Sequence, residues 1–209
     1  FYLVDNFLTQ RYSSLFNLPR NKKIKFLEGD IQKIDLKKII KQVDYVIHLA
    51  AITNAQESFK NEKQVSKNNF NCTKIVADLC LKYKKKLTFI SSTSVYGTQK
   101  KVVDENCDIN DLQPQSPYAL TKLKEENYLK KLAKQNLKVV ILRFGTIYGV
   151  SIGMRFHTAV NKFCWQATMN QPLTVWKSAF LQMRPYLDLN DASRAISHVI
   201  KNIKHDGEV

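Results

Sequence analysis

No apolar stretch in this 209-residue chain approaches the roughly 18 residues needed to cross a bilayer, so no spanning helix is expected. Cysteine is scarce. Cys72, Cys80, Cys107 and Cys164 form no Cys-x-x-Cys pair, which argues against a disulfide framework and gives no hint of a metal site. Reduced thiols in a cytoplasmic protein are the expectation. With only six glycines and five prolines, the chain is neither collagen-like nor of low complexity. It shows no internal repeat and no linker.

What remains is ordinary globular chemistry: 44% hydrophobic, 11% aromatic and 24% charged residues, enough for one domain or slightly more. The charge is lopsided, with 33 basic against 18 acidic side chains and a formal net charge of +15. A surplus of that size can mark a nucleic-acid or membrane surface. The lysines are scattered, however. Their densest groups are Lys37-Lys38, Lys82 to Lys86 around Tyr83, and Lys130-Lys131, and none is interleaved with the aromatic platforms a single-strand binder uses. They read as solvated helix faces, with no nucleic-acid or membrane partner expected, and they also suit an anionic small substrate.

Phe1 to Val4 is a short apolar run ending at Asp5, which reads as a buried strand. His205 to Val209 reads as a turn leading into another strand. Both ends fall inside a fold on this reading, and a fragment is expected. Further strands are expected at 24–27, 44–49, 87–91 and 139–144, and helices around 34–42, 65–83, 117–135, 155–169 and 191–203. Strands alternating with amphipathic helices predict an α/β fold, a mainly parallel sheet covered on both faces. After about residue 150 the alternation weakens. Residues 1–150 are therefore expected to form a dinucleotide-binding domain. Residues 151–209 are expected to form part of a small substrate-covering lobe, with elements returning to the first domain.

Three strand ends suit a dinucleotide. Asp5, followed by Asn6, closes the first strand, where a carboxylate can accept hydrogen bonds from an adenosine ribose and repel a 2′-phosphate, favouring NAD over NADP. The plainer reading is an Asp opening a turn. Glu28-Gly29-Asp30-Ile31 follows the second strand, as an adenine contact or a capping turn. Leu49-Ala50-Ala51 ends the third with small residues, permitting either close approach of a ligand or tight helix packing. The glycine-rich phosphate loop that belongs about 20 residues before such an Asp is absent from the sequence.

The catalytic candidates lie further on. Ser116-Pro117 can start a helix that places Tyr118 and Lys122 one turn apart on one face. A tyrosine is a poor base at neutral pH, and an adjacent ammonium favours its phenolate. Such a pair can take a proton from a sugar hydroxyl while hydride leaves the same carbon. Phe89 to Gly97 reads as a strand running into a hydroxyl-rich turn, from which a serine can hydrogen-bond the same substrate oxygen or simply cap its own backbone.

These motifs, in this order, resemble the extended short-chain dehydrogenase/reductases, the NAD-dependent sugar epimerase/dehydratase group. The resemblance runs from Leu3-Val4-Asp5-Asn6 to about Ile200. It includes Val46 to Ala51, Asn68 to Asn71, Ile90-Ser91-Ser92 through Tyr96-Gly97, Ser116-Pro117-Tyr118 through Lys122, Leu142-Arg143-Phe144 and Arg184 to Asp188. It implies a Rossmann-like doubly wound sheet with its first strand missing, NAD as cofactor, a nucleotide-sugar substrate and a homodimer. It also implies roles: Tyr118 as the catalytic tyrosine, Lys122 lowering its pKa and holding the nicotinamide ribose, Ser92 beside the sugar hydroxyl. Asp5 and Asn6 would hold the adenosine ribose, Asp30 and Ile31 the adenine, and Leu49, Ala50 and Ala51 would line the dinucleotide. Asn69 would support the central strands beside the cofactor, and Phe144 would lie near the nicotinamide. Arg184 would bind the nucleotide-sugar diphosphate, as a guanidinium fork suits.

The chain also departs from the group. Dehydratases carry Asp-Glu directly after the catalytic hydroxyl residue, whereas Thr93-Ser94 stand here, with Thr93 counted as a substrate contact. Thr146 stands where many epimerases have Asn and is likewise counted on the substrate side. His157 and Asn161 are either sugar-facing or ordinary helix residues. The reading is an NAD-dependent nucleotide-sugar epimerase working through a transient keto-sugar. The alternatives are a dehydrogenase, reductase or dehydratase of the same group and, more distantly, a non-catalytic dinucleotide- or RNA-binding protein.

Overall fold

The computed structural model describes residues 1–19, 23–53, 59–97, 102–175, 177 and 180–202. The terminal turn and strand expected at 205–209 lie outside the described residues. Every strand pairing is parallel. β1 (Tyr2–Asp5) runs beside β2 (Lys25–Glu28), with Asp5 opposite Glu28. β3 (Tyr45–His48), β4 (Lys86–Ser92) and β5 (Val139–Phe144) stand in the order β3-β4-β5. β6 (Thr146–Tyr148) pairs with β7 (Tyr186–Asp188). Among the described residues the expected parallel sheet is thus carried by four ladders in three sheets. In a doubly wound order one further strand stands between β1 and β3, and no ladder joins those two among the described residues.

The helices are α1 (Leu36–Lys41), α2 (Glu62–Lys82), α3 (Pro117–Ala133), α4 (Ala159–Thr168) and α5 (Leu189–Asn202). Local chemistry sets their starts. The Asp35 carboxylate accepts from the Lys38 N–H at 3.2 Å to open α1. Ser116 Oγ accepts from the Ala119 N–H at 3.1 Å, with Pro117 in the first turn, to open α3. Both are N-terminal caps that satisfy otherwise orphaned donors. The core lies where α2 and α3 cover the central strand β4, and it includes Ala77, Cys80, Leu87, Phe89, Leu129 and Ile141. Leu87, Thr88 and Phe89 are buried in succession, as expected of a parallel strand covered on both faces. Full burial of a side chain such as Phe89 stabilises by about 1.5–3 kcal/mol.

One polar device seats α3 and another ties β3 to α2. Glu126 is 0% exposed and receives Arg143 of β5 in a fork, Nη2 to Oε2 at 2.6 Å and Nε to Oε1 at 3.0 Å. The Ser91 hydroxyl donates to the same carboxylate at 2.5 Å. On the other side, His48 of β3 places Nε2 3.1 Å from the Thr73 hydroxyl of α2. Burial, and next the Lys122 ammonium, hold that imidazole down to about 3.

Gly145 joins β5 to β6 where the chain before β7 crosses closely. A Cβ there would stand 2.8 Å from the Pro185 carbonyl oxygen, which accepts the Thr146 N–H at 3.0 Å. Gly145→Ala should therefore cost about 1–3 kcal/mol by overpacking against backbone, measured as a lower urea midpoint at unchanged slope. His48 supplies a pH test. The unfolded imidazole takes its proton near 6.5, whereas the folded one resists down to about 3. Stability is complete above pH 6.5 and falls as the pH drops toward 3, by up to about 1.4 kcal/mol per unit. Urea melts between pH 4.5 and 7 should show this slope, and His48→Gln should flatten it.

Candidate active site

Tyr118 and Lys122 project from the first two turns of α3, toward the C-terminal end of β4. Lys122 is buried and carries its ammonium under the strand, 3.1 Å from the Ile90 carbonyl, which accepts from it, and 4.4 Å from the Phe89 ring centre. Its Nζ lies 3.3 Å from Glu125 Oε2, with side-chain exposures of 5% and 1%. A buried ammonium is tolerated because it is paired and hydrogen-bonded. The same ammonium is 5.9 Å from the centre of the half-buried Tyr118 ring. The Tyr118 phenol stands above its ordinary value, through burial first and then the Glu125 carboxylate, with the Arg155 guanidinium pulling it down. The resemblance implies a phenol lowered by Lys122; here the phenol stands raised, and the charges acting on it are Glu125 and Arg155. Glu125 balances the lysine's charge and bears on the phenol with the opposite sign.

Ser92 ends β4 and caps the short 3-10 turn Thr93–Tyr96. Its Oγ accepts from the Ser94 N–H at 3.2 Å and from the Ser94 hydroxyl at 2.9 Å. The Thr93 hydroxyl donates to the Phe144 carbonyl at 3.4 Å, tying the end of β4 to the end of β5. Ser92 and Phe144 are opposite each other in that ladder. No carboxylate follows Ser92 at positions 93 and 94.

Because the strands are parallel, Asp5, Leu49, Ser92 and Phe144 all lie at carboxyl ends, where open α/β sheets bind ligands. Asp5 Oδ1 accepts from the Phe7 N–H at 2.7 Å and Asn6 Oδ1 from the Leu8 N–H at 3.1 Å, so both also shape the turn. Asp30 Oδ1 does the same for the Gln32 N–H at 2.9 Å. Ile31 is part of the core. Leu49 is 62% exposed, while Ala50 and Ala51 are half-buried. An exposed leucine and two small residues after β3, and an exposed carboxylate at the end of β1, are a donor set and surface that fit a dinucleotide. Asn69 works one step back. It is fully buried, its Oδ1 accepts from the Ile52 N–H at 2.8 Å, and its Nδ2 donates to the Ile52 carbonyl at 2.9 Å. Its amide therefore fixes the segment after β3 and is not turned toward a cofactor.

On the substrate side the structure reorders the candidates. Asn161, on α4, is buried. Its Oδ1 accepts from the Gly149 N–H at 3.1 Å and its Nδ2 donates to the Arg155 carbonyl at 3.0 Å. It is a backbone clamp, which corrects its place among the sugar-facing candidates. Gly149 permits that turn at φ +128°. Arg155 donates to the Thr53 hydroxyl, and its charge reaches Tyr118. His157 is exposed just before α4, and Thr146 is exposed at the start of β6. Arg184 is exposed before β7 and donates to Gln182 Oε1 at 2.7 Å. Reading the sequence alone misses Arg155, Glu125 and Thr73. Only Glu125 had a local signal, since it lies three residues beyond Lys122 on one helix face. Among the described residues, no group of three His, Cys, Asp or Glu side chains could hold a metal ion.

Comparison with known proteins agrees with this geometry. A Bacillus subtilis protein described as an uncharacterized UDP-glucose epimerase is 29% identical over 206 residues, covering 94% of this chain and 63% of that relative. The Arabidopsis thaliana trifunctional UDP-glucose 4,6-dehydratase/epimerase/reductase RHM3 is also 29% identical, over 94% of this chain and 30% of its own length. The crystal structure of UDP-glucuronic acid 4-epimerase from Bacillus cereus, in complex with UDP-glucuronic acid and NAD, superposes with a TM-score of 0.88. It is 28% identical, over 98% of this chain and 66% of that one. The chain thus spans less than two thirds of the length of these relatives. Residues 4–209 match the family described as the NAD dependent epimerase/dehydratase family, and the chain belongs to it.

Proposed function

We propose that the protein containing this chain is an NAD-dependent epimerase of a UDP-linked sugar, inverting the carbon whose hydroxyl meets Tyr118. The observation that carries this reading is Lys122, one turn from Tyr118 on α3, reaching the Ile90 carbonyl near the end of β4, the strand that Ser92 closes, with Thr93-Ser94 where a dehydratase needs carboxylates. The relative described as an uncharacterized UDP-glucose epimerase and the UDP-glucuronic acid 4-epimerase structure support the same assignment.

In this mechanism Tyr118 Oη takes the proton of the sugar hydroxyl, and Ser92 Oγ holds the same oxygen as it becomes a carbonyl. Lys122 fixes the local charge and would hold the nicotinamide ribose. Asp5 and Asn6 would hold the adenosine ribose, Asp30 and Ile31 the adenine, Leu49 to Ala51 the length of the dinucleotide, and Phe144 the nicotinamide end. NAD, when bound, supplies the acceptor for the hydride and returns it. Tyr118 gives back its proton after the keto-sugar has presented its other face, so the substrate is inverted with no net redox change. Thr93, Thr146 and His157 belong to the sugar side of the proposed site and Arg184 to the diphosphate. Arg155 adds a cation beside Tyr118 that suits an anionic sugar.

Residues 1–150 are proposed as the NAD-binding domain and 151–209 as part of the substrate lobe. A homodimer and a cytoplasmic location belong to the same proposal. Among the described residues no helix is long and apolar enough to cross a membrane. A dehydratase is the second reading, raised by relatives such as RHM3 and opposed by Thr93-Ser94.

The test is the full-length protein incubated with NAD and a panel of UDP-, GDP-, CDP- and dTDP-sugars, followed by proton NMR. An epimer should appear with no net NADH. Accumulating NADH would make the enzyme a dehydrogenase, and a 4-keto-6-deoxy product a dehydratase. Tyr118→Phe should lower turnover by about 10²- to 10⁴-fold while NAD still binds.

A further inference from the structure

A buried chain of polar groups runs behind the catalytic pair. The Thr73 hydroxyl of α2 donates to Glu125 Oε1 at 2.6 Å, and the Lys122 ammonium lies 3.3 Å from Oε2. Thr73 has one proton, and it points at Glu125. Its oxygen therefore accepts from His48 Nε2, 3.1 Å away, and the imidazole is the neutral Nε2–H tautomer. The Thr73 hydroxyl and the Lys122 ammonium both meet the Glu125 carboxylate, and His48 stands behind Thr73.

The groups facing this carboxylate can be enumerated. From α3 come Tyr118, Lys122 and Glu126, the last paired with Arg143. From α2 come Thr73 and Cys72, whose thiol burial pushes up to about 11, with Asp30 and Glu125 adding to it. From β3 comes His48, and from β4 the Phe89 ring and the Ile90 carbonyl. Arg155 acts on Tyr118 from the segment before α4. With His48 and Cys72 neutral and Glu126 paired, the charges that bear on the buried phenol are Glu125, which raises it, and Arg155, which lowers it, with the Lys122 ammonium 5.9 Å from its ring centre. Burial, with Glu126 adding to it, holds the Glu125 carboxyl above its ordinary value, and Lys122 and Thr73 pull against that rise without cancelling it.

We propose that Glu125 is a positioning residue for the catalytic pair: it anchors the Lys122 ammonium under β4, offsets its field at Tyr118, and so sets the pH range in which Tyr118 accepts the sugar proton. The proposal rests on the assignment of Tyr118 as proton acceptor made above.

The test is the pH profile of kcat in the NAD-loaded full-length enzyme. Glu125→Gln keeps the volume and removes the charge. Its acid limb should fall by about one pH unit, giving up to about tenfold faster turnover on the acid side. Glu125→Asp, with a shorter reach to Lys122, should lie between the two. A second readout does not need turnover: the phenolate absorbance of Tyr118, taken as the difference from Tyr118→Phe, should move down in the Glu125→Gln background by the same amount. If the wild type turns over no sugar, the assignment of function fails, while the phenolate titration still decides the role of Glu125. A folded Glu125→Gln with an unmoved acid limb and unmoved phenolate titration overturns the proposal. So does failure of both variants to fold, which would make Glu125 a residue of stability alone.

Discussion

Glu125 and Glu126 are neighbours on α3 and both are removed from water, so the helix can seat only where two cations meet them. Lys122 reaches Glu125 from the preceding turn, and Arg143 reaches Glu126 from β5. Each ion pair is further hydrogen-bonded, Glu125 by Thr73 and Glu126 by Ser91. Removing one member of such a pair strands a charge at a cost of about 3–5 kcal/mol. The helix is thereby registered against α2, β4 and β5 at once. Tyr118, one turn before Lys122, inherits its position from that registration.

Parallel pairing does the rest of the positioning. Since β1, β3, β4 and β5 all run the same way as their ladder partners, each strand delivers its last residues to a carboxyl-terminal edge. Ser92 and Phe144 are far apart in sequence and stand opposite each other for this reason, while Asp5 ends β1 and Leu49 follows β3. The loops beyond them are fixed individually. Asn69 holds Ile52 through both sides of its amide, Thr93 ties itself to Phe144, and Asn161 clamps Gly149 to the Arg155 carbonyl.

Long periodic segments are readable from residue order alone. The apolar spacing places helices at 65–83 and 117–135, and they run Glu62–Lys82 and Pro117–Ala133. Ser116-Pro117 marks the second start to the residue because capping is a local interaction. β6 and β7 escape notice because three residues are too few to show alternation, and their pairing joins distant parts of the chain. The proposed catalytic trio is visible as residue types at familiar spacing, whereas its electrostatics are visible only in part. Glu125 lies three residues beyond Lys122 on the same helix, but Arg155 reaches Tyr118 from the segment before α4, which no spacing encodes. Asn161 is misplaced for the converse reason: an amide in a polar-looking stretch proves to serve backbone groups brought close by folding.

The β6–β7 ladder has a consequence for how this architecture can vary. It closes the segment from Gly149 to Pro185, which carries α4 and the substrate-side arginines, into a loop whose two ends are held by a single parallel pairing. Closure entropy grows only logarithmically with length, about 0.6 kcal/mol for each doubling. Insertions and deletions within that loop therefore burden folding lightly, while the charge-paired helix and central strands beneath it stay unchanged. On the proposed function, recognition of the sugar can diverge here with the proton-transfer apparatus held constant.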